Sequence, residues 1–386
     1  MEPALSQIID RVRAAASAAT PQPLRIQGGG SKDFLGHALQ GEALDVRPLQ
    51  GIVDYEPSEL VVTVRAGTPL AELEQALAAR GQSLAFEPPH FASQGQQATV
   101  GGMVAAGLSG PARASVGAVR DYVLGIEILN GKAELLRFGG QVMKNVAGYD
   151  VSRLMAGSWG TLGVITEVSL KVLPVAPAEA TLRFDGIGQA DVLKQLNTWG
   201  GQPLPLNASR WVPGQGVDAA TTGSLYVRLR GATAAVDAAC RSMGGTRLDA
   251  ASPDVGADWV ACREQELPWF AQRAADHCLW RLSVPQTAPE LALQTLGVEG
   301  IAAPLVEWHG GLRWVQAPRS AGDALKAAAR AVGGDALLFR AEAALPISGE
   351  PLFDPQNAAV QRIQQQLKAA FDPAGIFNPG RTHSAR

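Results

Sequence analysis

Along the first half of the chain, short runs of branched apolar residues are set between glycine-rich loops. Ala4–Ala19 predicts a helix, and Leu24–Gln27 a short strand that runs into Gly28-Gly29-Gly30. Leu60–Arg65 alternates branched residues and predicts a strand. Thr68 followed by Pro69 reads as an N-cap and a first-turn proline, so a helix is expected over Pro69–Arg80, ended at Gly81. Val123–Leu129 and Ala133–Phe138 flank Asn130-Gly131, a strong hairpin signal. Val164–Leu173 has the alternating character of a strand. It follows the glycines Gly157, Gly160 and Gly163 with no helix between, so this stretch passes from loop straight into strand.

Beyond Pro174 the pattern changes. Pro174-Val175-Ala176-Pro177 reads as a linker. After it, strands over Leu225–Leu229, Leu279–Val284, Leu305–Trp308 and Leu312–Val315 mix with helices over Ala232–Met243 and Ala321–Val332. Of the eight tryptophans, all but Trp159 lie in this half, which suits core or interdomain packing better than a ligand wall. The tail returns to helix over Asn357–Phe371 and ends in FDPAGIFNPGR, Phe371–Arg381.

A length of 386 residues suggests two domains, and 46% hydrophobic with 18% charged residues is ordinary globular composition. A net charge of −3 gives nucleic acid or an anionic membrane no global attraction. The apolar runs are shorter than the roughly 20 residues of a membrane span. Met1–Thr20 lacks the basic-then-apolar order of a signal peptide. Cys240, Cys262 and Cys278 are far apart and form no CxxC, so neither an iron–sulfur cluster nor a structural zinc is expected on this chain, and a cytoplasmic setting is the simplest.

Three glycine segments carry the candidate chemistry. Gln27–Asp33, at a strand end, offers successive backbone N–H groups that suit pyrophosphate oxygens; an ordinary tight turn explains it equally well. It does not open a helix as GxGxxG does in a nicotinamide site, and no GxxxxGK[ST] is present. Ala98–Gly110 is dominated by small residues. It leaves room for a cofactor and supplies amides for phosphate, or it is a tightly packed small-residue helix. The third is GSWGTLGVIT from Gly157, preceded by KNVAGYD from Lys144.

In this order, QGGGS, TVGGMVA, KNVAGYD, GSWGTLGVIT and DPAGIFNPGR resemble the vanillyl-alcohol oxidase family, with its PCMH-type FAD-binding domain. The resemblance covers nearly the whole chain. It implies an α+β fold in which two α+β subdomains hold FAD, an α+β cap domain follows, and a C-terminal segment returns to complete the FAD site. The expected boundaries are 1–176, 177–345 and 346–386. By the resemblance Gly28, Gly29, Gly30, Ser31 and Lys32 sit by the pyrophosphate. Thr99, Val100, Gly101 and Gly102, with Ala105, Ala106 and Ser109, line the flavin and ribityl side. Gly160, Gly163, Val164 and Ile165 line the adenine and ribose side, and Asn378 approaches the flavin from the far end. Asp54–Pro89, Lys144–Val164 and Leu279–Pro285 are similar in particular to the FAD-binding subunits of bacterial glycolate oxidases. Those work with a flavoprotein D subunit and an iron–sulfur F subunit to oxidise glycolate to glyoxylate.

Departures from the family pattern shift the expectation. Ser31 stands where some members carry a flavin-linking histidine, and no cysteine precedes Cys240, so FAD is expected to be noncovalent. None of the five histidines forms the HxH pair of members that hold a substrate through a metal; His309, the nearest candidate, reads as structural. Many catalytic relatives have a glutamate where Trp159 stands. Arg281 and Arg340 remain as anion partners, with Arg281 the candidate for a small carboxylate or, equally, an ion pair within the cap sheet. The leading reading is the FAD-binding subunit of a glycolate oxidase complex, cytoplasmic or held to the membrane by partners. The alternatives are a stand-alone FAD-dependent 2-hydroxy-acid dehydrogenase and a non-catalytic scaffold with a vestigial flavin site.

Overall fold

The computed structural model describes residues 2–92, 95–140, 149–214, 222–248, 253–341 and 358–381. Lys144–Gly148 of the KNVAGYD motif, His383 and the expected boundary near 346 lie outside them. The chain divides into two compact units: Met1–Ser109, Ala118–Val175 and Ala344–Arg386 form the first, and Gly110–Gly117 with Ala176–Ala343 form the second. The segment 110–117, which the sequence pattern groups with the flanking first-unit residues, therefore packs in the second.

In the first unit, helix α1 (Pro3–Ser17) buries Leu5, Ile8, Ile9, Val12 and Ala15, a single stripe at helical spacing. That stripe packs with Leu24, Leu44, Leu129, Val164, Ile376 and Phe377. Strands β1 (Leu24–Gln27) and β2 (Glu42–Asp45) pair in parallel. Leu24 also makes a parallel bridge to Phe377, so the tail extends this small sheet. A second sheet has the order β3 (Ile52–Glu56), β4 (Val61–Arg65), β8 (Val164–Lys171), β6 (Val123–Leu129), β7 (Leu135–Gly139). A two-stranded pair joins β5 (Gln82–Ser83) to β9 (Leu173–Pro174). Helices α2 (Leu70–Ala78), α3 (Val100–Ala106), α5 (Val151–Met155) and α11 (Ala358–Phe371) complete the unit.

A row of charges runs across the five-stranded sheet. Glu127 and Glu167 lie directly opposite one another on β6 and β8, an arrangement that is unfavourable alone. Arg65 on β4 reaches Glu167 at 3.1 Å, and Arg137 on β7 reaches Glu127 at 2.6 Å. Each glutamate is thus neutralised from its outer neighbour, which fixes the register of four strands.

Two local expectations are corrected. Thr68 does not cap α2; its Oγ1 accepts from the Gly51 N–H at 2.9 Å, and Pro69 occupies the cap position of a helix that starts at Leu70. The hairpin after Leu129 forms, but its loop is longer than Asn130-Gly131. Asn130 Oδ1 accepts from the N–H groups of Lys132 and Glu134 at 2.9 and 3.0 Å, an Asx turn that delays β7 to Leu135.

The second unit is one antiparallel sheet under helices. Its order is β13 (Thr246–Leu248), β10 (Ala178–Ile187), β12 (Gly223–Gly231), β11 (Leu206–Pro213), β15 (Leu305–Glu307), β16 (Leu312–Pro318), β14 (His277–Ser283), β17 (Asp335–Arg340). Helices α6 (Gln189–Gly200) and α7 (Thr233–Met243) lay Leu193, Leu196, Trp199, Val236 and Ala239 against Leu182, Trp211 and Val227. The remaining helices are the short α4 (Arg113–Val116), α8 (Pro253–Glu264), α9 (Pro268–Ala271) and α10 (Gly322–Ala331). Trp199, Trp211, Trp259, Trp280, Trp308 and Trp314 are all buried, the packing role expected of them. Among the described residues no helix is long and apolar enough to cross a membrane.

Candidate functional site

The three glycine segments, distant in sequence, line one cleft of the first unit. The cleft encloses about 760 Å³, counting the part open to solvent. Of the residues singled out in the sequence, Gly28, Gly29, Gly30, Ser31, Lys32, Thr99, Gly101, Gly102, Ala105, Ala106, Gly160, Gly163, Ile165 and Asn378 line it. Three do not. Val100 is buried under its own helix, Val164 points into the apolar core beside Phe377, and Ser109 Oγ accepts from the Val119 N–H at 3.2 Å.

Each wall owes its shape to local sequence. Strand β1 ends at Gln27 and delivers the glycine loop to the cleft mouth. Gly29 passes so close to the segment from Gln96 that a Cβ there would lie 1.3 Å from the Gln97 carbonyl oxygen. Among the described residues no acceptor takes the backbone N–H groups of Gly29, Gly30 and Ser31. Three open donors in succession form an anion-binding concavity. Helix α3 forms the second wall and differs from expectation. Its N-terminal amides are committed: Val100 donates to Thr68 O, Gly101 to Ala66 O, and Gly102 to Thr99 Oγ1. So α3 offers not amides but a face of Gly102, Ala105 and Ala106, nearly bare of side chains.

The third wall is the loop before β8. Trp159 holds a left-handed backbone, φ 53°, and its N–H donates to Ala105 O at 2.9 Å, which ties this wall to α3. Gly160 follows at φ 68°, and a Cβ there would sit 2.6 Å from Asn378 Nδ2. Both ends of the Asn378 carboxamide are engaged: its Oδ1 accepts from the Ile26 N–H at 2.9 Å and one Nδ2 hydrogen is donated to Trp159 O at 2.8 Å. It clips the first and third walls together rather than aiming its amide into the cleft.

The sequence reading missed Arg381. Its guanidinium is buried and donates to the carbonyl oxygens of His37 (3.0 Å), Lys32 (3.2 Å) and Asp33 (3.4 Å), which curls the glycine loop around it. It also lies 5.5 Å from the Trp159 ring centroid. Burial pushes the Asp33 carboxyl above its usual range, against the pull of Arg381 and Arg25; burial lowers the Arg381 pKa, and Asp33 holds it up. Ile26, Asp33, Leu39 and Val46 also line the cleft. The signal for Arg381 was its place in DPAGIFNPGR, four residues after the bridge Leu24–Phe377.

The residues present fit an extended, anionic, flat-ringed cofactor. The loop gives three unpaired N–H donors, Lys32 and Arg381 supply positive charge, and the α3 face leaves a planar group room.

In the second unit, Arg281 sits on β14 with its guanidinium 5.1 Å from the Trp308 ring centroid, and Arg113 of α4 lies 4.5 Å from the same ring. Among the described residues Arg281 makes no ion pair within hydrogen-bonding reach, although the charges of Asp335 and Glu307 act on it. Burial, then the charge of Arg113, lowers its pKa to about 10, against the opposite effect of Asp335 and Glu307. Arg340 donates instead to Gln265 Oε1 at 3.1 Å. Trp308 and His309 both hold left-handed backbone at φ 54°, a strain on the order of 1–3 kcal/mol each. His309 is satisfied on both ring nitrogens, by Ser209 Oγ at 3.0 Å and Ser115 Oγ at 2.9 Å, and burial lowers its pKa to about 4. Among the described residues no group of three or more His, Cys, Asp or Glu is placed to hold a metal ion.

Comparison with known proteins identifies the family and the fold. An FAD binding domain family profile matches residues 5–139. Glycolate oxidase subunit GlcE of Escherichia coli K12 is 42% identical over 377 residues, 98% of this chain and 97% of that one. Glycolate oxidase subunit GlcD of Bacillus subtilis is 33% identical over 142 residues, 37% of this chain and 29% of that one. Among solved structures, a 4-ethylphenol oxidase from Gulosibacter chungangensis superposes with a TM-score of 0.71 at 15% identity, covering 99% of this chain and 88% of that one, which establishes the shared α+β fold.

Proposed function

This chain belongs to the GlcE family of FAD-binding glycolate oxidase subunits, and from that membership we propose that it is the FAD-binding subunit of a complex that oxidises glycolate to glyoxylate. The observation that carries the reading is the match to GlcE from end to end, joined to a cleft with the donors and bare wall an FAD needs. The partners are a D-type flavoprotein and an iron–sulfur F subunit, to which electrons pass, and the setting is the cytoplasm, with any membrane attachment supplied by those partners.

Bound noncovalently, FAD supplies a two-electron acceptor for a C–H bond. The roles assigned to this chain's residues are binding and positioning. Gly29, Gly30 and Ser31 direct N–H groups at the pyrophosphate, with Lys32 and Arg381 adding charge. Gly102, Ala105 and Ala106 keep one wall flat, and Asn378 holds the walls at their spacing. Oxidation of glycolate removes a hydride from the alcohol carbon and a proton from its hydroxyl. The candidate histidine, His309, has both ring nitrogens occupied by serines. That favours substrate oxidation on the D-type partner and electron relay here.

A second reading, a stand-alone 2-hydroxy-acid dehydrogenase, is favoured by one observation: Arg281 lies over the Trp308 ring and makes no ion pair among the described residues. Purification of the tagged chain from its native cells tests both. The complex reading expects about one FAD per chain, co-purifying flavoprotein and iron, and slow or absent flavin bleaching when glycolate is added to the isolated chain. A colourless chain overturns both readings in favour of a scaffold. Rapid bleaching of the isolated chain supports the stand-alone enzyme.

A further inference from the structure

The glycine loop carries a carboxylate among its donors. We propose that Asp33 is a charge gate on the cleft: its carboxylate opposes the anionic cofactor, and binding draws one proton from solvent onto it. The identity of the ligand rests on the function proposed above; the gate itself rests on the geometry of the loop.

Asp33 lines the cleft, and its N–H closes the turn of the loop by donating to Gly30 O at 3.0 Å. Its Oδ2 lies 3.4 Å from where a Cβ on Gly30 would stand. Gly30 is the middle one of the three residues whose N–H groups meet no acceptor among the described residues. The carboxylate therefore sits beside the anion-binding concavity. Among the described residues it makes no hydrogen bond and no ion pair, with the loop or with anything else.

The cations around it are turned to other partners. The Arg381 guanidinium donates to three backbone carbonyls, one of them that of Asp33. Lys32 Nζ donates to Ser31 Oγ at 3.1 Å and to His90 O at 3.3 Å, and Arg25 Nη2 reaches Gln27 Oε1 at 3.4 Å. His37, further along the loop, is buried, and the His90 ring pairs with Glu74 at 2.9 Å. The facing segment Gly95–Gln97 and helix α3 carry no charged residue. Burial raises the Asp33 carboxyl above its ordinary value in spite of Arg381 and Arg25, so ionisation is already disfavoured.

Solvent still reaches the side chain. A pyrophosphate held at the three N–H groups would exclude that solvent and set like charge against the carboxylate, and both effects raise its affinity for a proton. Once neutral, Asp33 offers a donor where the ionised form has only acceptors. The linkage has one sign. The gain in affinity is full below the pKa of Asp33 in the free chain. It is lost as pH rises through the higher pKa in the loaded chain, by about tenfold per pH unit for one proton. The rival role for an ionised carboxylate, accepting from a hydroxyl of the ligand, reverses that sign.

The test titrates FAD into the apo form of the full chain by fluorescence, from about pH 5.5 to about pH 8.5. Calorimetry in two buffers of different ionisation enthalpy counts the protons. The wild type should take up a proton on binding and lose at least about tenfold in affinity across the range. Asp33→Asn, neutral at every pH, should bind at least about tenfold tighter than the wild type at the alkaline end, with a flat profile. Asp33→Ala should be flat as well. Wild-type binding without proton uptake overturns the proposal and requires no variant to fold. So does weaker binding by Asp33→Asn at the alkaline end, which identifies a hydroxyl acceptor. So does a pH profile that survives in both variants, which places the proton on another group. A wild-type chain that binds no FAD at any pH refutes the proposed function and the gate with it, whereas stoichiometric binding without proton uptake refutes the gate alone.

Discussion

Asn378 and Ile26 are 352 residues apart in sequence, yet the Ile26 N–H donates to the Asn378 carboxamide at 2.9 Å. The same carboxamide donates through its nitrogen to Trp159 O. One side chain thus joins β1, the loop before β8 and the returning tail. Asn378→Asp is an isosteric probe of that clip: it keeps the acceptor for Ile26 and sets an oxygen against the Trp159 carbonyl. A loss of about 1–3 kcal/mol in unfolding free energy is expected, the cost of an unmet buried pairing. Denaturant unfolding measures the loss, and FAD should leave at lower denaturant than the wild type releases it. A variant that unfolds with the wild type contradicts the clip.

Two glycines of the cleft separate folding from binding. A Cβ at Gly29 would fall inside the Gln97 carbonyl, so Gly29→Ala should displace the loop and lower apo stability as well as FAD retention. A Cβ at Gly102 would approach only Thr99 Oγ1, at 3.0 Å. Gly102→Ala should therefore leave the apo melting temperature nearly unchanged while weakening FAD at least tenfold, because the new methyl stands on the flat wall. Thermal melts with and without added FAD give both quantities.

Arg381→Lys should loosen the glycine loop. Two guanidinium nitrogens reach the carbonyls of His37, Asp33 and Lys32, and the one nitrogen of a lysine cannot occupy both positions. The expected result is about a tenfold rise in the FAD dissociation constant, roughly 1.4 kcal/mol, with secondary structure intact by circular dichroism. Fluorescence titration of the apo chain with FAD checks it.

His309 gives the second unit an acid sensitivity of definite sign. Its folded pKa lies at about 4, below the ordinary 6.5, so the unfolded chain binds the proton more readily. The stabilisation is fully present above pH 6.5 and is lost as pH falls towards 4, at most about 3 kcal/mol for a shift of this size. His309→Gln cannot be protonated and should flatten the pH dependence of unfolding between pH 6.5 and 4. Urea midpoints across that window decide it; an unchanged slope would place the acid sensitivity elsewhere.

The cleft proposed for the cofactor was largely legible because glycine and small residues announce themselves in sequence. Its exceptions are instructive. Val164 and Val100 sit inside the motifs, but strand alternation and helical turn direct them into the core. Arg381 was passed over although it closes the DPAGIFNPGR motif, because its partners are backbone carbonyls, which no residue pattern marks. In the second unit β11 went unread because buried polar residues interrupt its pattern: Asn207 accepts from Arg228 Nε, and Arg210 pairs with Asp258 while stacking on Tyr226 and Trp259. Hydrophobic alternation cannot reveal a strand whose buried positions include Asn207, Ser209 and Arg210. The assignment of 110–117 to the second unit was invisible for a related reason, since the contact that anchors it is the Gly110 carbonyl.

The bridge from Leu24 to Phe377 has a consequence for how the protein matures. Synthesis runs from the N-terminus, so β1 leaves the ribosome long before the residues that sit beside it. The glycine loop can reach its final curl only after Arg381 has been released. A polypeptide clipped before Arg381 should therefore lack the three hydrogen bonds that curl the glycine loop, and the proposed flavin cleft would be left without its final shape.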